Sequence, residues 1–142
     1  MDEVVNDMYN KCLLEMQCYT MFDYIRLLDT RIQRMQGSDG AKVRKMNFGM
    51  AIMALKAGYP IRRSGWNGKG LMVFKQVPAH IDSDIIPKMQ SLPQSAKDLI
   101  LKGKGFIDYT SQCLIYNENT GRADSWVPSI SDVFADDWEI VQ

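Results

Sequence analysis

From Val4 to Met35 neither glycine nor proline interrupts the chain, and apolar residues return at steps of three and four: Met8, Cys12, Met16, Tyr19, Phe22, Ile25, Leu28, Ile32 and Met35. Residues three and four apart share a helix face, whereas strand side chains alternate every two, so this period excludes a strand. The segment reads as one long amphipathic helix or a tight helical pair, with an apolar stripe that needs a partner. "QGSDG" ends it with two glycines, and Asp39 to Lys45 reads as a linker. Residues 1–45 are therefore expected to be a helical extension and linker, set before a second unit spanning 46–142.

That second unit opens with "MNFGMAIMALKAGYP". Asn47 is the candidate N-cap, Phe48, Ala51, Ile52 and Leu55 share one face, Gly58 suits the C-cap position, and Pro60 prevents continuation. The period then changes from helix to strand. Ile61 to Arg63 and Leu71 to Val77 are expected strands joined by a glycine-rich loop. "PAHIDSDIIPKMQSLPQSAKDLILKGKG" reads as an excursion in which Ser95 caps a short helix closed by Gly103. Phe106 to Tyr116 is strand-like, "NENTG" is a turn, Ala123 to Val127 is another strand, and Ser131 caps a helical turn before "DWEIV" closes the sheet. With 142 residues, 46% of them apolar, one ordinary globular domain with its own core is accommodated. The fold class is α+β: a small antiparallel sheet packed with short helices, preceded by the long amphipathic helix.

Lysine plus arginine and aspartate plus glutamate both total 17, so net charge points to no partner, but the distribution is uneven. Between Asp39 and Asp82 there is no acidic residue, while Lys42, Arg44, Lys45, Lys56, Arg62, Arg63, Lys69 and Lys75 all lie there. From Asp108 onward, Asp108, Glu118, Asp124, Asp132, Asp136, Asp137 and Glu139 face Arg122 alone. Two outcomes fit: a locally positive site for a small anion, or two halves that pair across a sheet or subunit interface.

Cys12, Cys18 and Cys113 lack zinc-like spacing and form no disulfide framework, which suits a reduced cytosol. No apolar run approaches the roughly 20 residues of a membrane span, and "MDEVVND" is not a signal peptide, so a soluble intracellular protein is expected. His80 is the only histidine, which excludes histidine triads and multi-histidine metal sites by count; placed in a polar loop, it reads as a surface residue. Adjacent Asp136 and Asp137 have the chemistry for acid-base work, though such pairs more often serve as solvated or capping groups.

The stretch "RRSGWNGKG", residues 62–70, gathers three glycines, a tryptophan and three cations. "GKG" lacks the earlier glycine and following serine or threonine of a phosphate loop. Trp66 offers a flat face for a nucleobase, the glycines let backbone N–H groups approach a ligand, and Arg62, Arg63 and Lys69 can neutralise phosphate. The competing reading makes Trp66 a core plug at a tight turn.

Taken together, "MNFGMAIMALKAGYPIRRSGWNGKGLMVF" and "SWVPSISDVFADDWEIV" resemble the Thoeris anti-defence protein 2 family, small phage-encoded sponges for nucleotide immune signals. The resemblance covers about 46–142 and rests on an M-N-F-G helix start, a G-W-N-G-K loop and a terminal W-x-x-S-x-x-D…D-W, in that order. It implies a homotetramer with ligand sites between protomers. Such a protein binds and holds a cyclic ADP-ribose isomer made by TIR-domain enzymes, and in some members cyclic oligonucleotides, without cutting them. It implies no cofactor, no metal, no membrane and no nucleic acid polymer, and places the protein in the cytoplasm of the bacterial host. On this resemblance Trp66 stacks on a base, Asn67 and Lys69 line the same loop with Arg62 nearby, Asp132, Ser129 and Ser131 supply polar contacts, and Phe48 packs beside the pocket. Residues 1–45 have no counterpart in the family's short members, and 78–105 is longer than in the smallest; a lid and a cover for a sheet edge both suit its pattern. The alternative function is a non-catalytic interaction module whose N-terminal helix recruits a partner. A nucleotide hydrolase is disfavoured by the missing base and metal ligands.

Overall fold

A computed structural model describes residues 7–142. Val4 to Asn6, where the apolar pattern begins, lie outside the described residues. From Met8 the pattern produces a single helix, α1 (Met8–Met35), started by Asp7, whose carboxylate accepts from the Tyr9 backbone N–H at 3.1 Å. No α1 residue is fully buried.

Asn47 caps α2 (Phe48–Lys56) by accepting from the Met50 N–H at 2.9 Å, and Gly58, at φ +90°, follows the helix in the left-handed conformation that releases the chain towards Pro60. The strands are β1 (Ile61–Arg63), β2 (Leu71–Lys75), β3 (Ala79–Ile81), β4 (Ile107–Tyr109), β5 (Cys113–Asn117), β6 (Arg122–Ser125) and β7 (Trp138–Ile140). Five form one antiparallel sheet in the order β6-β5-β2-β1-β7, while β3 and β4 pair separately as a two-stranded sheet. The architecture is α+β.

Several boundaries differ from those the sequence suggests. Phe106 to Tyr116 is not one strand: β4 pairs β3, β5 joins the main sheet, and polar Thr110 to Gln112 separate them. Leu71 to Val77 ends at Lys75, and Ala123 to Val127 shifts to Arg122–Ser125. His80 lies on β3, not in a loop, though it is exposed as expected. In α3 (Gln94–Lys102) Pro93 occupies the cap position and Ser95 falls inside the first turn; Gly103 does close the helix, its N–H bonding Leu99 O at 3.0 Å. The cap of the short α4 (Ile130–Val133) is Ser129, not Ser131, because Asp132 three residues on completes a reciprocal capping box.

The core forms where α2 packs on β1, β2 and β7. Met46, Met50, Ala51, Ala54, Leu55, Ile61, Val73 and Trp138 are buried together, with Phe48, Ile52, Trp66 and Trp126 partly buried against them. Strand alternation explains the selection: Ile61 sits opposite Val73 on one neighbour and Ile140 on the other. Part of the charge asymmetry is resolved here as well. Arg62 lies opposite Glu139 and binds it at 2.6 Å, while Arg63 reaches Asp137 and Asp132, so the basic stretch pairs with the acidic one across β1 and β7.

Candidate functional site

The loop between β1 and β2 is anchored at both ends. At the first, the Ser64 N–H donates to Asp137 O at 3.0 Å and the Gly65 N–H donates to Asp137 Oδ2 at 2.9 Å. A Cβ on Gly65 would stand 2.5 Å from that oxygen, so only glycine allows the approach. Gly65→Ala should therefore cost about 1–3 kcal/mol by displacing the carboxylate, readable as a lowered denaturation midpoint. At the second end, Gly70 adopts φ +84°, Asn119 Nδ2 donates to Lys69 O at 2.7 Å, and the Glu118 N–H donates to Gly70 O at 2.9 Å. "NENTG" is thus both a turn and the loop's second anchor.

Between these anchors Trp66 is half-buried, and Asn67 and Lys69 are exposed. The chain's three tryptophans meet: Trp66 and Trp126 each stand edge-on to buried Trp138, with centroids 5.5 Å and 6.2 Å away, and Phe48 tilts against the same ring at 5.7 Å. Such contacts fix ring orientation as well as burying area.

Asp132 joins the loop to this cluster. It is 8% exposed, and each carboxylate oxygen is occupied: Oδ1 accepts from Trp66 Nε1 at 3.1 Å and Arg63 Nη1 at 3.0 Å, Oδ2 from the Ser129 N–H at 2.9 Å and Ser129 Oγ at 2.8 Å. Its backbone carbonyl accepts from Trp138 Nε1 at 3.0 Å. Burial pulls the carboxyl upward, but the donors from Ser129, Arg63 and Trp66 outweigh it and hold the group at about 2. Asp137 is also lowered, first by its bond with Arg63 Nε at 2.7 Å and then, against burial, by the Gly65 N–H. The same two carboxylates, Asp137 foremost, raise Arg63.

The Asp132 shift predicts acid sensitivity. The folded carboxyl titrates below the unfolded one, so on acidification the unfolded chain takes up the proton first. The stabilisation, about 2 kcal/mol, is complete above roughly pH 4 and is lost as pH falls towards 2. Denaturant titrations at successive pH values should show this slope, and Asp132→Asn should flatten it.

The structure thus brings together Trp66, Asp132 and Ser129, with Ser131 Oγ 2.8 Å from Ser129 Oγ and Phe48 reaching the group through Trp138. Asn67 and Lys69 share the loop surface. Arg62 lies outside the group, since its neighbour Arg63, on the same strand face as buried Ile61, is the arginine that enters it. Arg63, named as a cation for phosphate, and Asp137, named for acid-base or capping work, meet in one network with Asp132, whereas Trp138, which the Asp132 carbonyl holds, was not singled out. Asp137 is engaged by Arg63 and Gly65 instead of being a solvated carboxylate. Also unforeseen is an open cleft of about 1200 Å³ between α1, the 40–45 linker and the β7 edge, reaching Arg63, Ser64 and Asp137 on its inner side. Arg26 crosses it from α1 to donate to the carbonyls of Arg44 and Lys45. Among the described residues no group of three or more His, Cys, Asp or Glu is placed to hold a metal ion, and no helix is long and apolar enough to cross a membrane.

Residues 46–141 match the family model described as Tad2-like, a Thoeris anti-defense 2-like domain. The chain belongs to this Thoeris anti-defence family. A relative from Bacillus phage SP01, named Thoeris anti-defense 2, is 33% identical over 102 residues, covering 68% of this chain and 96% of the relative. Within the Tad2-like region fall the anchored loop, all three tryptophans and the Asp132 capping box, whereas α1 precedes it.

Proposed function

We propose that this Tad2-like protein is a phage anti-defence sponge. It captures a cyclic nucleotide-type immune signal in the cytoplasm of the infected bacterium, the cyclic ADP-ribose isomer made by TIR-domain enzymes or a cyclic oligonucleotide, and holds it uncleaved. Family membership supports the anti-defence role. The observation that carries the binding mode is the anchored loop, which holds Trp66 at a fixed tilt with Asn67 and Lys69 exposed beside it.

In this reading Trp66 stacks on a base, Asn67 and Lys69 meet ribose and phosphate, and the hydroxyls of Ser129 and Ser131 add polar contacts. Asp132, its oxygens already occupied, contributes by fixing the indole plane. Sites between the protomers of a homotetramer would enclose more of the ligand than this open surface does.

The non-catalytic half of the reading has its own chemical support. A general acid or base works best with a pKa near the operating pH, yet both carboxylates near the loop are lowered and fully donated to. Such groups hold geometry and do not exchange protons readily.

Calorimetric titration of the full chain with the cyclic ADP-ribose isomer, then with cyclic dinucleotides, tests the proposal. Saturable binding of one of them is expected, with slow release on dilution. Absence of binding across both classes would remove it.

A further inference from the structure

The half-buried α1 residues from Asp23 onward are Asp23, Arg26, Leu27 and Thr30, spaced at three and four. They form the face that meets the rest of the chain: Asn47 Nδ2 donates to both Asp23 oxygens at 3.0 Å, Arg26 binds the 44–45 carbonyls, and Leu27 touches the core. The face turned away carries a second pattern. Leu14, Cys18, Met21, Ile25, Leu28, Ile32 and Met35 follow one another at alternating steps of four and three, a strict heptad seam three repeats long. The docked residues occupy outer positions b, c and f of that heptad, so the chain's own body sits opposite the seam and leaves it open. Leu14, Met21 and Ile25 are each more than half exposed, as are Phe22 and Tyr24, which flank the seam at e and g.

We infer that α1 pairs with α1 of a second copy of this chain as a parallel, in-register, two-stranded coiled coil. The occupant follows from the seam's composition. Isoleucine at a (Ile25, Ile32) with leucine or methionine at d (Leu14, Met21, Leu28, Met35) is the arrangement that favours two parallel strands, and a strict 3.5-residue repeat is matched best by a helix carrying the same repeat. Covering the seam and its aromatic flanks on two helices would remove roughly 1,500 Å² from water, the size of a standard stable interface. The pairing lies outside the Tad2-like region and is independent of the nucleotide reading, so either can fail alone.

Cys18 falls at a seam a position, where a parallel pair sets it against its own counterpart, while Cys12 falls at outer position b; both are exposed free thiols. The full-length chain is treated with the mild oxidant diamide, each disulfide formed giving up two thiol hydrogens that reduce one diamide to its hydrazine, and is run on a non-reducing gel. A covalent dimer is expected from the native chain and from Cys12→Ser, and is lost in Cys18→Ser and in Ile25→Lys/Ile32→Lys. The lysine pair replaces surface side chains of the protomer, and circular dichroism checks that the helix and domain persist. A Cys18 dimer insensitive to the lysines, equal cross-linking through Cys12, or no Cys18 dimer at all would overturn the inference, the last pointing to an antiparallel pair or a different protein on the seam.

Discussion

Asp132→Ala should destabilise the domain by about 3 kcal/mol, the largest effect expected of any polar substitution in this chain. The carboxylate is nearly inaccessible and satisfies four donors at once. Removing it leaves the Trp66 N–H unpaired, leaves Arg63 with Asp137 alone, and deletes half of the capping box that starts α4. Leaving partners behind in a partly buried setting costs more than the bonds contributed on balance. Asp132→Asn keeps the volume and an acceptor oxygen but loses the charge, so it should fall between wild type and alanine. Urea unfolding followed by tryptophan fluorescence measures both variants, since the Trp66 and Trp138 environments change together. A loss below about 1 kcal/mol for alanine would mean that the network is a surface ornament of the fold and that Arg63 is adequately served by Asp137.

Trp66→Ala should weaken capture of the cyclic nucleotide by about 5- to 150-fold, from the roughly 1–3 kcal/mol that base stacking on an aromatic provides. The same substitution removes an edge-on contact with Trp138, which accounts for about 1 kcal/mol of stability, so affinity and stability must be read separately. Trp66→Phe separates them in the binding experiment itself. Phenylalanine retains an aromatic face for stacking but cannot donate to Asp132, so it should bind more tightly than alanine and less tightly than tryptophan. If alanine and phenylalanine were equally impaired, the indole N–H and the loop position it fixes would carry the effect. If neither were impaired, Trp66 would be the core plug that its half-burial also permits.

The sequence disclosed these elements unevenly, for physical reasons. Signals that act within one helix turn were legible: the Asn47 cap, the Gly58 and Gly103 stops and the continuous period of α1 all rest on neighbours three or four residues away. Strand extents were less legible, because pairing partners decide them. Phe106 to Tyr116 has one continuous strand-like composition, yet its two halves pair with different sheets, β4 with β3 and β5 with β2. The cap of α4 was misplaced by two residues although the sequence held the signal: only Ser129 has a carboxylate three positions on, the spacing of a capping box, whereas Ser131 has Phe134 there.

The site was legible as a set of residue types and not as a network. Trp66 and Asp132 were identified individually, and their 3.1 Å bond spans 66 positions of sequence. Arg62 and Arg63, both read as cations for phosphate, show what pairing adds: two adjacent arginines are chemically identical in sequence and opposite in a strand. Arg62 pairs with Glu139 on one face, and Arg63 enters the aspartate network on the other. Two of the cations that suggested an anion site, Arg62 and Arg63, are instead partners of the acidic stretch, leaving Lys69 as the loop's exposed cation.

A sponge, unlike an enzyme, gives its ligand back intact when it unfolds. Purified protein is incubated with the TIR-derived cyclic ADP-ribose isomer, freed of unbound ligand by filtration and heat-denatured, and the released material is analysed by mass spectrometry. Recovery of unchanged ligand near one equivalent per site is the predicted result. Recovery of a cleaved product would make this Tad2-like protein an enzyme and rule out the sponge, and retention of neither this ligand nor a cyclic dinucleotide would rule it out from the other side.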